Sequence, residues 1–198
     1  MTSGGISLPA TRQKGEIRLI NAVPCAVLVP PILVARRYVS PRSRPITPEE
    51  SEIRLIAYAL KRGEEIAIAA PEMSDLLPLD LPMLTLVPIP ASTGNIEANL
   101  CLARAIAAKY GPQARVVSAL NRVVPVESSC ARRRRGLPGL TAADHMFVRV
   151  GRWFALPVFL VDNVATTGAT LAAARHALGF GTGLVFADAS PIYQPPAK

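Results

Sequence analysis

The sequence is short of cysteine and of aromatic residues, and each shortage excludes a class of protein. Its three cysteines, Cys25, Cys101 and Cys130, lie far apart and form no CxxC pair, so we expect neither a zinc ribbon nor a thioredoxin-type site. An odd number of cysteines in a chain of 198 residues also argues against a disulfide scaffold. Aromatic residues make up only 5%, so aliphatic side chains have to build most of the core.

Long hydrophobic runs are also absent. The longest apolar stretch, residues 22–35, contains Pro24, Pro30 and Pro31. It is shorter than the roughly 20 residues that span a bilayer, and its prolines would interrupt a helix. The polar residues before it, including Glu16, do not fit a secretory signal. We therefore expect a cytoplasmic protein with no membrane partner.

Positive charge is abundant and unevenly distributed. The chain has 22 Lys and Arg against 14 Asp and Glu, a net charge of +8. Residues 121–152 contain seven arginines against Glu127 and Asp144, so this segment alone contributes about five of those charges. Such a concentration favours an anionic ligand, either a phosphorylated small molecule or a nucleic acid.

The order of the predicted elements indicates an α/β protein with a parallel sheet flanked by helices. A helix is predicted from 48 to about 62, because Thr47 and Pro48 are typical of a helix start and Gly63 of a helix end. Residues 17–39 suit one or two edge strands. Further strands are predicted at 84–87, 115–120, 147–150, 158–161 and 183–187, and further helices at 98–110 and 170–178.

Two segments between these elements stand out. Residues 71–82 are rich in proline and read as a connector, so we predict a division between residues 1–82 and a core of residues 83–198. Residues 121–145 are predicted to form a long basic loop, which a compact domain rarely carries without a function.

The segment after the strand at 158–161 has the composition of a phosphate-binding turn. Asp162 and Asn163 lie at the predicted strand end, where ligands bind in parallel sheets. The following residues lead into a helix whose free backbone N–H groups suit a phosphate dianion: Thr166, Thr167, Gly168, Ala169 and Thr170. Asp162 would accept hydrogen bonds from sugar hydroxyls, and Asn163 offers a donor and an acceptor. The alternative is that these small residues merely cap a helix.

The run Val-Asp-Asn-Val-Ala-Thr-Thr-Gly-Ala-Thr-Leu at 161–171 resembles the 5-phosphoribosyl-1-pyrophosphate (PRPP) motif of type I phosphoribosyltransferases. Tyr-Ala-Leu-Lys-Arg-Gly at 58–63 and Leu-Val-Pro-Ile-Pro at 86–90 are similar to segments of the ComF-like group of that family. The basic stretch 122–147 resembles the segment that precedes the PRPP motif there. The resemblance covers roughly residues 53–190, and the PRPP motif is its specific part.

The resemblance implies a type I phosphoribosyltransferase-like sheet with a small amino-terminal hood formed within residues 1–82. It implies Mg²⁺-PRPP as ligand, 5-phosphate contacts from residues 166–170, and ribose contacts from Asp162 and Asn163, with Asp162 the candidate metal ligand. It also implies pyrophosphate binding after the strand end, at Pro90, Ala91 and Ser92. Asn163 stands where the family usually has an acid, and residues 91–94 lack the usual basic side chains, so backbone groups would bind the pyrophosphate.

The basic loop admits three interpretations. By resemblance, Arg122, Arg132 or Arg133 would neutralise the leaving pyrophosphate, as cations do in a water-poor site. The loop would otherwise be a solvated basic surface or a contact for nucleic acid. The segment has no interleaved aromatic residues for base stacking, which weakens the case for single-stranded nucleic acid.

The leading functional prediction is phosphoribosyl transfer from PRPP to an unidentified nitrogen nucleophile, in nucleotide metabolism, with Mg²⁺ required and pyrophosphate released. The alternatives are a non-catalytic PRPP or nucleotide sensor and a ComF-like accessory protein that handles DNA. A homodimer is compatible with each of them. His145 and His176 have no partner at a spacing typical of a metal site or a catalytic triad, so we predict packing or surface roles for both.

Overall fold

A parallel sheet is the centre of the described structure, a computed structural model that covers residues 31–39, 45–151 and 155–189, with the backbone alone at Ser129 and Cys130. Predictions for 17–30 lie outside these ranges. The strands are β1 (Ile32–Arg37), β2 (Leu84–Pro88), β3 (Ala114–Val116), β4 (Leu120–Arg122), β5 (Phe147–Arg149), β6 (Val158–Ala165) and β7 (Thr182–Asp188). Among the described residues, five strands form the main sheet in the order β1-β7-β6-β2-β3, and every pair is parallel. The predicted parallel α/β sheet is confirmed.

The helices are α1 (Pro48–Leu60), α2 (Ile66–Ser74), α3 (Glu97–Tyr110), α4 (Ser129–Arg134) and α5 (Ala169–Leu178), with a 3-10 turn at Ala142–Asp144. The predicted start of α1 is confirmed in detail. Thr47 Oγ1 accepts a hydrogen bond from the Glu50 backbone N–H at 3.2 Å, and the Glu50 carboxylate accepts one from the Thr47 N–H at 2.9 Å. This reciprocal cap satisfies two N–H groups at the helix start.

Both faces of the sheet are buried, which explains its runs of apolar residues. On β6, Phe159 and Val161 join the core beneath α1, α2 and α3, whereas Val158 and Leu160 join the core beneath α5. This alternation follows from the two-residue period of a strand. β1 pairs with β7, and α1 and α2 share the first core with β2 and β6, so amino-terminal elements build the same sheet as later ones. The division at 82/83 stays a prediction.

The connector predicted from residue 71 is wrong at its start, because α2 continues through Pro71 to Ser74. Proline at this interior position removes one helical hydrogen bond. The helix persists because Ala69, Ala70 and Met73 are buried against the sheet, and these apolar contacts offset the lost bond.

The strand predicted at 115–120 is corrected, whereas the strand predicted at 147–150 is confirmed as β5. The first is two strands: β3 pairs with β2 in the main sheet, and β4 leaves that sheet. β4 pairs antiparallel with β5, with Asn121 opposite Val148, to form a separate two-stranded ribbon that packs beside α5. The loop predicted between them contains α4 and the 3-10 turn. Within the described ranges, no helix is long and apolar enough to cross a bilayer.

Candidate functional site

The two predicted loops, after β2 and after β6, begin at the carboxyl edge of the sheet. β2 and β6 are neighbours, with Pro88 opposite Val161, so the chain after each strand emerges at the same edge. The turn that follows β2 begins at Ile89, and the turn that follows β6 leads directly into α5. Ligands of parallel α/β sheets bind at this edge, so the sheet order itself brings the two predicted loops together.

The turn between β6 and α5 forms a cradle, by which we mean residues 166–170. Gly168 adopts a left-handed conformation with φ 73° and precedes the first helical residue, Ala169. A residue with a Cβ would be strained there. A small cavity opens beside the cradle and is lined by residues 164–171 together with Asp162 and His145. The cavity volume is about 20 Å³.

The threonine hydroxyls have more than one use in the cradle. Thr167 Oγ1 accepts a hydrogen bond from the Ala169 backbone N–H at 3.3 Å, so it caps α5 as the simpler interpretation of this sequence predicted. The Thr167 side chain is nevertheless exposed, and its hydroxyl proton remains a donor. The amides of Thr170 and Leu171 belong to the first turn of α5, where N–H groups lack helical partners. Capping and anion binding are therefore compatible here.

Asp162 lines the same cavity and is held by two donors. Its Oδ1 accepts hydrogen bonds from the Asn163 backbone N–H at 2.8 Å and from the Asn99 side chain at 3.2 Å. Although part of the residue is exposed, burial raises the pKa of the Asp162 carboxyl. These two hydrogen bonds and the charges of Lys61 and Arg122 act in the opposite direction and favour the carboxylate.

The side chain of Asn163 is placed differently from that of Asp162, with which it was predicted to bind the ribose. Because side chains alternate along β6, Asn163 is buried and does not line the cavity that Asp162 lines. Its predicted role at the ribose stays a prediction. Asn99, in the first turn of α3, was not predicted at all, yet its side-chain amide joins the Ile89 carbonyl oxygen at 2.8 Å to Asp162. It ties the end of β2 to the end of β6.

The turn after β2 contains Pro90, Ala91 and Ser92, as predicted for a pyrophosphate site. The Ala91 N–H donates to the Asn95 carbonyl oxygen at 2.8 Å, and the Gly94 N–H donates back to the Ala91 carbonyl oxygen at 2.9 Å. These two amides therefore close the turn on itself. Ser92 and Thr93 supply its other backbone N–H groups, and both side chains are partly or fully accessible to solvent.

Arg122 holds that turn in place. Its Nε donates to the Ala91 carbonyl oxygen at 2.8 Å and its Nη2 to the Pro90 carbonyl oxygen at 3.3 Å, while the guanidinium lies 4.3 Å from the centre of the Phe147 ring. Burial lowers the pKa of Arg122, and the charge of Asp162 opposes this effect. The Arg122 side chain therefore binds the backbone of the predicted pyrophosphate turn and connects this turn to the β4–β5 ribbon.

His145 is the main site residue that sequence reasoning missed. It is buried, it lines the cradle cavity, and its Nδ1 lies 3.0 Å from Nη1 of Arg122. Burial, followed by the charge of Arg122, lowers the pKa of His145 to about 4, so the ring is neutral near pH 7. No local sequence pattern marks it, because its partner Arg122 is 23 residues away.

The arginine run is not part of the cavity. Arg132 Nε donates to the Pro138 carbonyl oxygen at 2.9 Å, and Arg135 pairs with Glu127 at 3.2 Å. Arg133 and Arg134 are exposed on α4. Neither Arg132 nor Arg133 lines the cradle cavity, so their predicted roles at pyrophosphate stay predictions.

Metal-binding groups are sparse at the site. Among the residues that the structure describes, no three His, Cys, Asp or Glu side chains are grouped as ligands for one ion. Asp162 is the carboxylate that lines the cradle cavity. Comparison of the chain with protein-family models, curated proteins and solved structures found no match in any of the three.

Proposed function

We propose that this protein binds PRPP at the carboxyl edge of its sheet and transfers the 5-phosphoribosyl group to a nitrogen nucleophile, with release of pyrophosphate. The proposal includes a type I phosphoribosyltransferase-like arrangement in which amino-terminal elements form a small hood. The observation that carries it is that Asp162 and the cradle at the start of α5 line the same cavity. One carboxylate beside one anion-binding turn matches a sugar attached to a phosphate.

The chemistry of each group fits one end of such a substrate. The 5-phosphate would accept hydrogen bonds from the amides of Thr170 and Leu171 and from the hydroxyls of Thr166 and Thr167. Asp162, held by Asn99 and Asn163, would accept hydrogen bonds from ribose hydroxyls without needing to reorient. Transfer through an oxocarbenium-like transition state requires mainly positioning and stabilisation of the leaving pyrophosphate.

The turn at residues 90–94 would bind the pyrophosphate. Arg122 fixes the Ala91 carbonyl, and the Val126 N–H fixes the Ser92 carbonyl at 2.8 Å. These bonds orient in advance the backbone N–H groups of Ser92 and Thr93, which lie in the same peptide planes. Preorganised donors of this kind stabilise developing negative charge more than mobile ones do. The positive charge of Arg122 adds to that effect, even though its guanidinium bonds to the turn.

Mg²⁺ fits this site as an ion that arrives with the substrate. Mg²⁺ commonly binds through one or two carboxylates, substrate phosphates and several waters, rather than through a cage made of protein groups. Asp162 supplies one carboxylate, and its Oδ1 is already oriented by two donors. Asp162 would therefore hold the ion, which neutralises charge on the pyrophosphate when bound.

The proposal is tested by calorimetric titration of the full chain with PRPP, with and without Mg²⁺, followed by a pyrophosphate-release screen over nitrogenous bases. We expect saturable binding that strengthens with Mg²⁺, and release of pyrophosphate with at least one base. An Asp162→Asn variant should lose most of the Mg²⁺ effect on affinity. Absence of PRPP binding in both conditions would contradict the proposal.

A second candidate is a PRPP or nucleotide sensor without catalysis. It is favoured by the neutral Asn163, which stands where the family usually has an acid, and by the neutral turn at residues 91–94. Asp162 is then the acid in the lining of the cradle cavity. The same titration separates the two: binding with no pyrophosphate release over the whole base panel would favour the sensor.

A further inference from the structure

His145 has a defined tautomer because of its partner. An arginine guanidinium carries only hydrogen-bond donors, so the 3.0 Å contact between Nη1 of Arg122 and Nδ1 of His145 requires a lone pair on Nδ1. The ring is neutral near pH 7, because its pKa lies at about 4. A neutral imidazole with a lone pair on Nδ1 carries its proton on Nε2. His145 is therefore an uncharged donor whose N–H lies on the side of the ring opposite Arg122.

His145 lies beside the cradle, at the cavity that the two share. His145 is only 8% exposed, and it lines the cavity shared by Asp162 and residues 164–171. Its ring is stacked with Phe147 of β5 at an interplanar angle of 5°, with 6.2 Å between the ring centres. The 3-10 turn before it and the stacked ring beside it fix the side chain, so the donor is held in place before any ligand binds.

We propose that the Nε2–H group of His145 is a further hydrogen-bond donor to the phosphoryl group in the cradle. This inference rests on the proposed phosphate-binding function of residues 166–170. This donor comes from outside the turn, because His145 belongs to the segment between α4 and β5. Arg122 is then the positioning residue for two ends of the ligand, since it holds both the turn at Pro90 and Ala91 and the tautomer of His145.

Affinity for ribose 5-phosphate gives the first test. A His145→Phe variant keeps a flat ring that stacks on Phe147 but has no donor, and we expect about 10- to 100-fold weaker binding, the usual effect of losing one hydrogen bond to a charged group. His145→Gln places an amide N–H at a similar reach and should recover most of that loss. His176→Gln is the matched control, because His176 is exposed and does not line the cradle cavity. It should bind as the unmodified chain does.

Nitrogen-15 spectra of the imidazole rings give the second test, which requires no substitution at His145. The chain has two histidines, so His176→Gln identifies both sets of signals. We expect His145 to show a protonated Nε2 and an unprotonated Nδ1 at pH 7, and its Nε2 signal to shift on saturation with ribose 5-phosphate while that of His176 stays unchanged.

The outcomes separate this inference from the function on which it rests. An unmoved Nε2 signal at saturation, undiminished binding by His145→Phe, or failure of His145→Gln to bind better than His145→Phe would each overturn it. If ribose 5-phosphate does not bind the unmodified chain, or binds a Thr167→Arg variant normally, the cradle itself is wrong and the inference falls with it. If Thr167→Arg loses binding but His145→Phe does not, the cradle stands and His145 has no part in it.

Discussion

At the scale of single residues, the site depends on charges and donors that are held by buried neighbours. Arg122 links the backbone at Pro90 and Ala91 to His145, and Asn99 links β2 to Asp162. The side chains of Asn99, Arg122, His145 and Asp162 are each partly or wholly buried, where an unpaired polar atom is costly. The polar network is therefore both a structural element and the scaffold of the site.

The neutral state of His145 predicts a specific acid sensitivity. Its pKa is depressed to about 4 in the folded chain from 6.5, so the unfolded chain binds more protons between these values, and the His145 contribution to stability is lost as pH falls below 6.5. Relative to His145→Phe, the unmodified chain should lose on the order of 2 kcal/mol between pH 7 and pH 5. Urea denaturation of both proteins at the two pH values measures this difference.

Taking the difference between the two proteins also removes the effect of Asp162, whose raised pKa acts with the opposite sign and is common to both. A gap in the free energy of unfolding that is the same at pH 7 and pH 5 would show that His145 is not buried in its neutral form.

Arg122 offers a test that separates the two ends of PRPP. Lysine keeps the charge but cannot bridge two carbonyl oxygens and an imidazole at once. We expect Arg122→Lys to weaken ribose 5-phosphate binding through His145, and to weaken PRPP binding by at least about tenfold more, because PRPP also uses the turn at residues 90–94. Parallel titrations with the two ligands measure this. Equal losses for both would mean that Arg122 supports His145 and the cradle but not the pyrophosphate turn.

At the scale of elements, the sequence predicted the helices and strands that are specified by a few neighbouring residues. The cap at Thr47 and Glu50 located α1, and the apolar run at 158–161 located β6, because both features are encoded within a few residues. The β4–β5 ribbon was missed because each of its strands has three residues and the pairing of Asn121 with Val148 joins distant parts of the chain. Nothing near either strand specifies that pairing.

The candidate site likewise has a part that the sequence predicted and a part that it did not. The cradle was predictable because one continuous segment supplies it, and the glycine at 168 marks its turn. Asn99, Arg122 and His145 were not predictable as one network. Their partners lie between 10 and 63 positions away in sequence, and they are brought together by the order of the main sheet and by the β4–β5 ribbon.

Helix α2 provides a test of tertiary packing against local propensity. Pro71 removes a helical hydrogen bond, yet the helix persists through buried contacts at Ala70 and Met73. Pro71→Ala should restore that bond and stabilise the fold by roughly 1 kcal/mol, less than the full helix penalty of proline because the unfolded chain also gains freedom. Urea denaturation measures the change, and ribose 5-phosphate affinity should stay the same. A loss of stability would mean that the proline ring itself packs favourably.

At the scale of the whole molecule, the net charge of +8 attracts anions over a long range. Arg133 and Arg134 on α4 are exposed and form a basic surface that anions can reach. Any DNA binding through this surface should weaken by at least about tenfold between 50 and 200 mM salt, because phosphate contacts release counterions. Ribose 5-phosphate, held by directed donors, should be less sensitive. Fluorescence anisotropy with labelled duplex DNA measures the slope. DNA binding that is insensitive to salt would rule out a phosphate-backbone contact.

The central claim is that residues 166–170 hold a phosphoryl group at the start of α5, and one calorimetric comparison tests it most directly. Ribose 5-phosphate is titrated into the unmodified chain, into Thr167→Arg, which fills the exposed cradle, and into Ala108→Arg, which adds the same charge at an exposed position near the carboxyl end of α3. We predict binding by the unmodified chain and by Ala108→Arg, and none by a folded Thr167→Arg. Normal binding by Thr167→Arg would contradict the account.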